Sequence, residues 1–148
     1  MDSAAGPAPR GVSKPAFVVR RLEQIPRVAT ESRDEPDWHP LQHYFGLSAF
    51  GANVFVAREP GQTLVEAHDE TASGQEELYL VAAGEAAFTL DGEHFVAPAL
   101  SAVVARPEVT RSAVATAAGT ALFVVGAVPR ADFASTWDPA HFEDVPRA

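Results

Sequence analysis

Between Phe88 and Phe95 the chain reads Phe-Thr-Leu-Asp-Gly-Glu-His-Phe. An Asp-Gly pair between apolar flanks is what a two-residue type I′ hairpin turn prefers, because both turn residues must take positive φ. The surrounding sequence repeats this punctuation. Short β-prone runs cover 53–58, 63–67, 77–81, 86–90, 93–95, 102–105, 112–116 and 120–128, each bounded by Gly, Pro, Asp or other small residues. Pro60-Gly61 and Ala117-Ala118-Gly119 supply further turns. About eight short strands with no helical stretch between them exclude a parallel α/β sheet and predict an all-β sandwich or barrel over 53–128.

The flanks read differently. Residues 1–14 carry Gly6, Pro7, Pro9 and Gly11 among small residues and form an expected disordered leader without the apolar run of a signal peptide. Residues 15–52 form an arm, in which Phe17–Val19 is a candidate short strand and Arg20 to Asp37 is charged and broken by Pro26 and Pro36. Pro40 at a favoured first helical position, then Leu41, Tyr44, Phe45 and Leu47 at helical spacing with Gly46 placed to end the turn, predict a helix of one or two turns. In the tail, 129–148, Asp138-Pro139 opens a final short helix through Glu143.

Composition narrows the function. A chain of 148 residues, 47% hydrophobic and 21% charged, is one globular domain. Its 20 acidic and 11 basic residues give a net charge of −9, which disfavours nucleic acid and anionic membrane surfaces. With no cysteine there is no disulfide, thiolate metal site or Cys nucleophile, so only His and carboxylates are left to hold a metal. No apolar run reaches the roughly 18 residues of a membrane span, and a cytoplasmic protein is expected. Acyl-transfer, phosphate-loop and zincin motifs are all missing.

One spacing stands out: Gly61, six residues, His68-Asp69-Glu70, six residues, Glu77, six residues, Gly84. It resembles the first motif of the cupin superfamily, with His68, Glu77 and Gly84 on its first His, its Glu and its closing Gly, and Glu70 in place of its second His. The stretch Val103 to Arg111, after the Asp91-Gly92 hairpin, is similar to the second motif, with Arg111 where a metal-binding His belongs. The resemblance, closest to small bacterial cupins, implies a double-stranded β-helix, that is, a jelly-roll barrel. It leaves the activity open, since cupins include dioxygenases, isomerases, epimerases, storage proteins and ligand-binding modules.

The residues can also be read without the family. Side chains alternate along a strand, so His68 and Glu70 share a face, as do Glu77, Tyr79 and Val81, and that face is the barrel interior. Polar groups there need partners. His68, Glu70 and Glu77 could offer one nitrogen and two carboxylates to a divalent ion. Arg111 opposes this, since a guanidinium neither ligates a metal nor loses its proton. Without metal, two carboxylates, one guanidinium and a titratable imidazole close into a charge-assisted network.

Three functions follow. The favoured one is a metal-free pocket of His68, Glu70, Glu77, Tyr79 and Arg111 for a small polar or anionic molecule, with Arg111 engaging an anionic or carbonyl group. The others are a metal-dependent enzyme of dioxygenase or isomerase type using His68, Glu70 and Glu77, and a structural cupin with no ligand. A homodimer is expected, because jelly-roll edges need cover and the arm offers Phe17, Val18, Val19, Trp38, Tyr44 and Phe45. Trp38 and Trp137 are expected to cover barrel ends or an interface, His39 and His43 to pack, and Glu76 and His94 to face solvent.

Overall fold

The computed structural model describes residues 14–30 and 32–147; the leader expected over 1–14 lies, Lys14 apart, outside the described residues. Nine strands follow in order: β1 (Asp37–His39), β2 (Gly51–Val56), β3 (Thr63–His68), β4 (Glu76–Ala83), β5 (Glu85–Leu90), β6 (Glu93–Pro98), β7 (Ala102–Ala105), β8 (Arg111–Ala115) and β9 (Ala121–Ala127). They form two antiparallel sheets, of order β1-β2-β9-β4-β7 and β3-β8-β5-β6. No helix interrupts the strands from β2 to β9.

The hairpin forms where the sequence placed it. Asp91 and Gly92 both take positive φ, 49° and 83°, and β5 pairs β6 without slippage from Leu90↔Glu93 to Glu85↔Pro98. The tight link from β4 to β5 depends on Gly84, at φ 71°. A Cβ there would stand 2.7 Å from Thr120 Cα, and Thr120 Oγ1 lies where it accepts from Glu85 N at 3.1 Å. The closing glycine of the motif is thus a packing requirement.

Between the sheets lies one core, built from Leu64, Val65, Tyr79, Val81, Phe88, Leu122 and Val124 with alanines at 57, 86, 97, 105, 113 and 115. Alternation explains it: β9 buries Leu122, Val124 and Gly126, and β8 buries Arg111, Ala113 and Ala115. Each large apolar side chain withdrawn from water contributes about 1.5–3 kcal/mol. The alanines let the sheets approach closely around Tyr79 and Phe88, whose rings meet edge to face at 5.8 Å.

Four expectations change. Phe17–Val19 forms no strand, and Phe17 and Val19 remain 84% and 79% exposed. The arm contributes β1 instead, too short to be read from a three-residue run; it pairs with β2 in the register Trp38↔Phe55. Strand β2 starts at Gly51, two residues earlier than read from sequence. The final helix is a 3₁₀ turn, Pro139–Phe142, whose cap is Asp138 accepting from Ala140 N at 2.9 Å. The helix α1, Leu41–Phe45, ends at Gly46 as expected. Among the described residues no helix is long and apolar enough to cross a membrane.

Candidate functional site

His68, Glu70 and Glu77 converge from three positions in the fold. His68 ends β3, where it lies opposite Arg111 of β8 after two irregularities in the β3–β8 pairing. Those irregularities break strict alternation: Leu64 and Val65 are both buried. Glu70 lies beyond the end of β3, so it reaches His68 through a turn and not through strand alternation. Its N–H donates to Pro107 O at 2.8 Å and its carbonyl accepts from Gly74 N at 2.7 Å. Glu77, on β4, faces inward with Tyr79, opposite Gly126 of β9. A Cβ on Gly126 would stand 3.3 Å from Glu77 Cγ and 2.9 Å from Gln75 Oε1, so this glycine leaves room for the site. Sequence reasoning missed Gly126; its isolated place in an apolar strand was the available signal.

The geometry fixes one tautomer. His68 Nδ1 lies 2.7 Å from Glu66 O, and a carbonyl can only accept, so Nδ1 carries the hydrogen. Nε2 therefore faces the carboxylates, 3.4 Å from Glu70 Oε1 and 3.8 Å from Glu77 Oε2. A lone pair pointed at two carboxylates is repulsive, which a cation lodged between the three groups would relieve. Glu70 also accepts from the Ser73 hydroxyl, and Glu77 from the Tyr79 hydroxyl. Burial, with the Glu77 carboxylate adding to it, pushes the Tyr79 phenol far above its ordinary range. Tyr79 therefore stays a neutral phenol that donates to Glu77.

Arg111 pairs with a carboxylate of the site, as the charge-assisted network implies, but it does not border the cavity. Its side chain has no exposure, it is not part of the cavity wall, and it donates to Val109 O at 2.8 Å and Arg106 O at 3.4 Å. Its Nε lies 3.3 Å from Glu77 Oε2 without the alignment of a hydrogen bond. It neutralises Glu77 from behind and ties down the turn before β8. From there its guanidinium does not reach the cavity wall, where the sequence reading has it engage an anionic or carbonyl group.

One ligand atom each from His68, Glu70 and Glu77 lie within 4.8 Å of one another, and Nε2 is turned towards the carboxylates by the Nδ1 bond, as a carbonyl on the far ring nitrogen commonly orients metal-binding imidazoles. This group could hold a divalent ion.

The cluster opens into a cavity of about 1010 Å³ between the barrel mouth, the arm and the tail. Aromatic residues line its outer part: Trp38 and Trp137 are 4.6 Å apart, and Trp38 lies 5.9 Å from both Phe55 and Phe142. Trp38 Nε1 donates to Asn53 Oδ1 at 2.7 Å. The two tryptophans thus cover one barrel end; the further tail residues of this wall, Phe133, His141 and Phe142, carry no such signal in the sequence. His39 and His43 pack as expected, on Ile25 O and Val145 O at 3.0 Å each. Glu76 is half exposed and paired with Arg106 at 2.7 Å; His94 is exposed beside Thr89.

No protein-family model matches this sequence, and no curated protein does either. Solved structures do. A sugar phosphate isomerase from a cupin superfamily, from Silicibacter pomeroyi DSS-3, matches with TM-score 0.60 and 20% identity over 80% of this chain and 82% of that one. An uncharacterized conserved protein with a double-stranded β-helix domain, from Klebsiella pneumoniae, gives 0.59 and 17% over 79% and 97%. A Cupin 2 conserved barrel domain protein from Salinispora arenicola CNS-205 gives 0.56 and 17% over 88% and 96%. With its two antiparallel sheets and these structural counterparts, the chain has the cupin fold, a double-stranded β-helix.

Proposed function

We propose that this chain binds a small polar organic molecule in the cavity at the mouth of its barrel, without a resident metal. The state of Glu77 carries the proposal: Oε2 accepts the Tyr79 hydroxyl and lies 3.3 Å from Arg111 Nε, so its charge is already answered from within. A buried guanidinium stands where a further neutral nitrogen would be needed to complete a three-histidine-type site, and it adds a positive charge beside any dication. The polar ends of His68 and Glu70 remain for a ligand's hydrogen bonds, and the aromatic wall remains for its apolar body.

Metal analysis of protein purified without chelator tests this, with thermal melts in Mn²⁺, Fe²⁺, Ni²⁺ and Zn²⁺. The expected result is substoichiometric metal and no large stabilisation. Near-stoichiometric metal, lost in His68→Ala, would overturn the proposal.

That outcome would promote the second reading, a metal-dependent enzyme of dioxygenase or isomerase type. It is supported by the convergence of His68, Glu70 and Glu77 and by the bond that aims Nε2. A metal there would supply Lewis-acid chemistry; His68, Glu70 and Glu77 would hold it, while Arg111 and Tyr79 would orient Glu77. Self-association is also proposed: Phe17, Val19, Leu78 and Val104 leave apolar surface exposed on the arm and beside the edge strand β7.

A further inference from the structure

The cavity wall has a marked charge asymmetry. Five acidic residues border it, Asp34, Glu35, Glu66, Glu70 and Glu77, and among the described residues no lysine or arginine does. Arg111, the nearest buried cation, lies behind Glu77 with no exposure and with its Nε lacking a hydrogen-bond acceptor. The field inside the cavity is therefore negative, and low-dielectric walls focus it. A sugar phosphate or carboxylate would bring further negative charge to a surface without a cation to receive it. The same cavity is lined by aromatic rings, Trp38, Phe55, Phe133, Trp137 and Phe142, of which Trp137 is 44% exposed.

Carboxylates and aromatic rings lining one cavity are the chemistry that recognises an organic ammonium ion, through charge-assisted hydrogen bonds and cation–π contact. We propose that the ligand of this cavity is a protonated amine carrying an aromatic or branched alkyl body. The proposal rests on the cavity being a ligand site, and it goes further by giving the charge and shape of what enters. An amine is charged at neutral pH, as a lysine side chain is. Its N–H donors meet Glu70, the carboxylate that Arg111 does not offset, and its body lies on the tryptophan wall. It also answers the repulsion between His68 Nε2 and the two carboxylates, by placing a cation among them.

A matched trio tests it: 2-phenylethylamine, 2-phenylethanol and 3-phenylpropionate, titrated into the full chain in buffer with EDTA. Heat and tryptophan fluorescence are the readouts, since both tryptophans border the cavity. The amine is expected to bind at least about tenfold tighter than the alcohol, and the acid not to saturate. In Glu70→Gln, which keeps the Ser73 bond, the amine's advantage should fall towards unity, and 1 M NaCl should shrink it. Trp137→Leu should weaken the amine about five- to thirtyfold. Equal or tighter binding of the alcohol or the acid would overturn the ammonium assignment and leave the ligand-site reading standing. Binding of none of the three would overturn both.

Discussion

Arg111 Nε stands 3.3 Å from Glu77 Oε2, with the arginine side chain wholly withdrawn from water and the glutamate 13% exposed. The pair joins β8 to β4 across the two sheets. Two further guanidinium contacts, to Val109 O and Arg106 O, attach the turn before β8, whose Pro107 carbonyl in turn receives Glu70 N. One buried cation therefore positions both acidic residues of the site.

Removing that cation strands Glu77 and opens a void. Arg111→Ala is expected to cost about 3–5 kcal/mol in urea unfolding. The double variant Arg111→Met with Glu77→Leu should recover most of this, because a buried pair adds little over apolar residues of similar size. A double variant no more stable than Arg111→Ala would contradict the pair's role.

Arg111→His puts a neutral nitrogen opposite His68 and removes the opposing charge. It is expected to create affinity for Ni²⁺ or Zn²⁺, read as a metal-dependent rise in melting temperature absent from the natural chain. No difference between the two proteins would show that the guanidinium is not what opposes a metal.

Tyr79 predicts an alkaline limb of stability. In the unfolded chain its phenol ionises near pH 10.0, while burial, with Glu77 beside it, raises it in the fold. Its contribution is therefore fully present below about pH 10 and is lost as pH rises further, at up to about 1.4 kcal/mol per pH unit. Tyr79→Phe should lose about 1 kcal/mol at neutral pH and flatten that limb. Chemical denaturation between pH 8 and 11 measures both effects, and an unchanged slope in the variant would contradict the assignment.

Gly84→Ala forces a side chain onto a positive φ and against Thr120 Cα. A loss of about 2 kcal/mol or more is expected. Gly92→Ala, also at positive φ but with open space around it, should cost less; equal losses would mean that backbone strain alone, and not the Thr120 contact, matters at Gly84.

Light scattering at micromolar concentration is expected to return a dimer. Val104→Lys, at the exposed edge strand, or Phe17→Ser, in the arm, should shift it towards monomer if that surface forms the contact. A monomer mass for the natural chain would end the proposal.

The strand block, the Asp91-Gly92 hairpin and the meeting of His68 with Glu77 were legible in the sequence, because turn chemistry and alternation are local rules that each stretch obeys nearly by itself. Glu70 was paired with His68 for a local reason that does not hold: irregularities in the β3–β8 pairing break the alternation, and a turn anchored on Pro107 brings the glutamate back. Arg111 shows the division most clearly. Its position opposite His68 follows from the motif, but its place behind Glu77, off the cavity wall, depends on the carbonyls of Arg106 and Val109 and on the depth of the β8 strand between the sheets. The aromatic wall, drawn from β1, β2 and a tail some eighty residues further on, likewise exists only once the chain has closed on itself. Local pattern determined which residues could form strands and point inward. The charge of the cavity was decided by packing between distant segments, since only burial separates a cation that faces a ligand from one that supports a carboxylate.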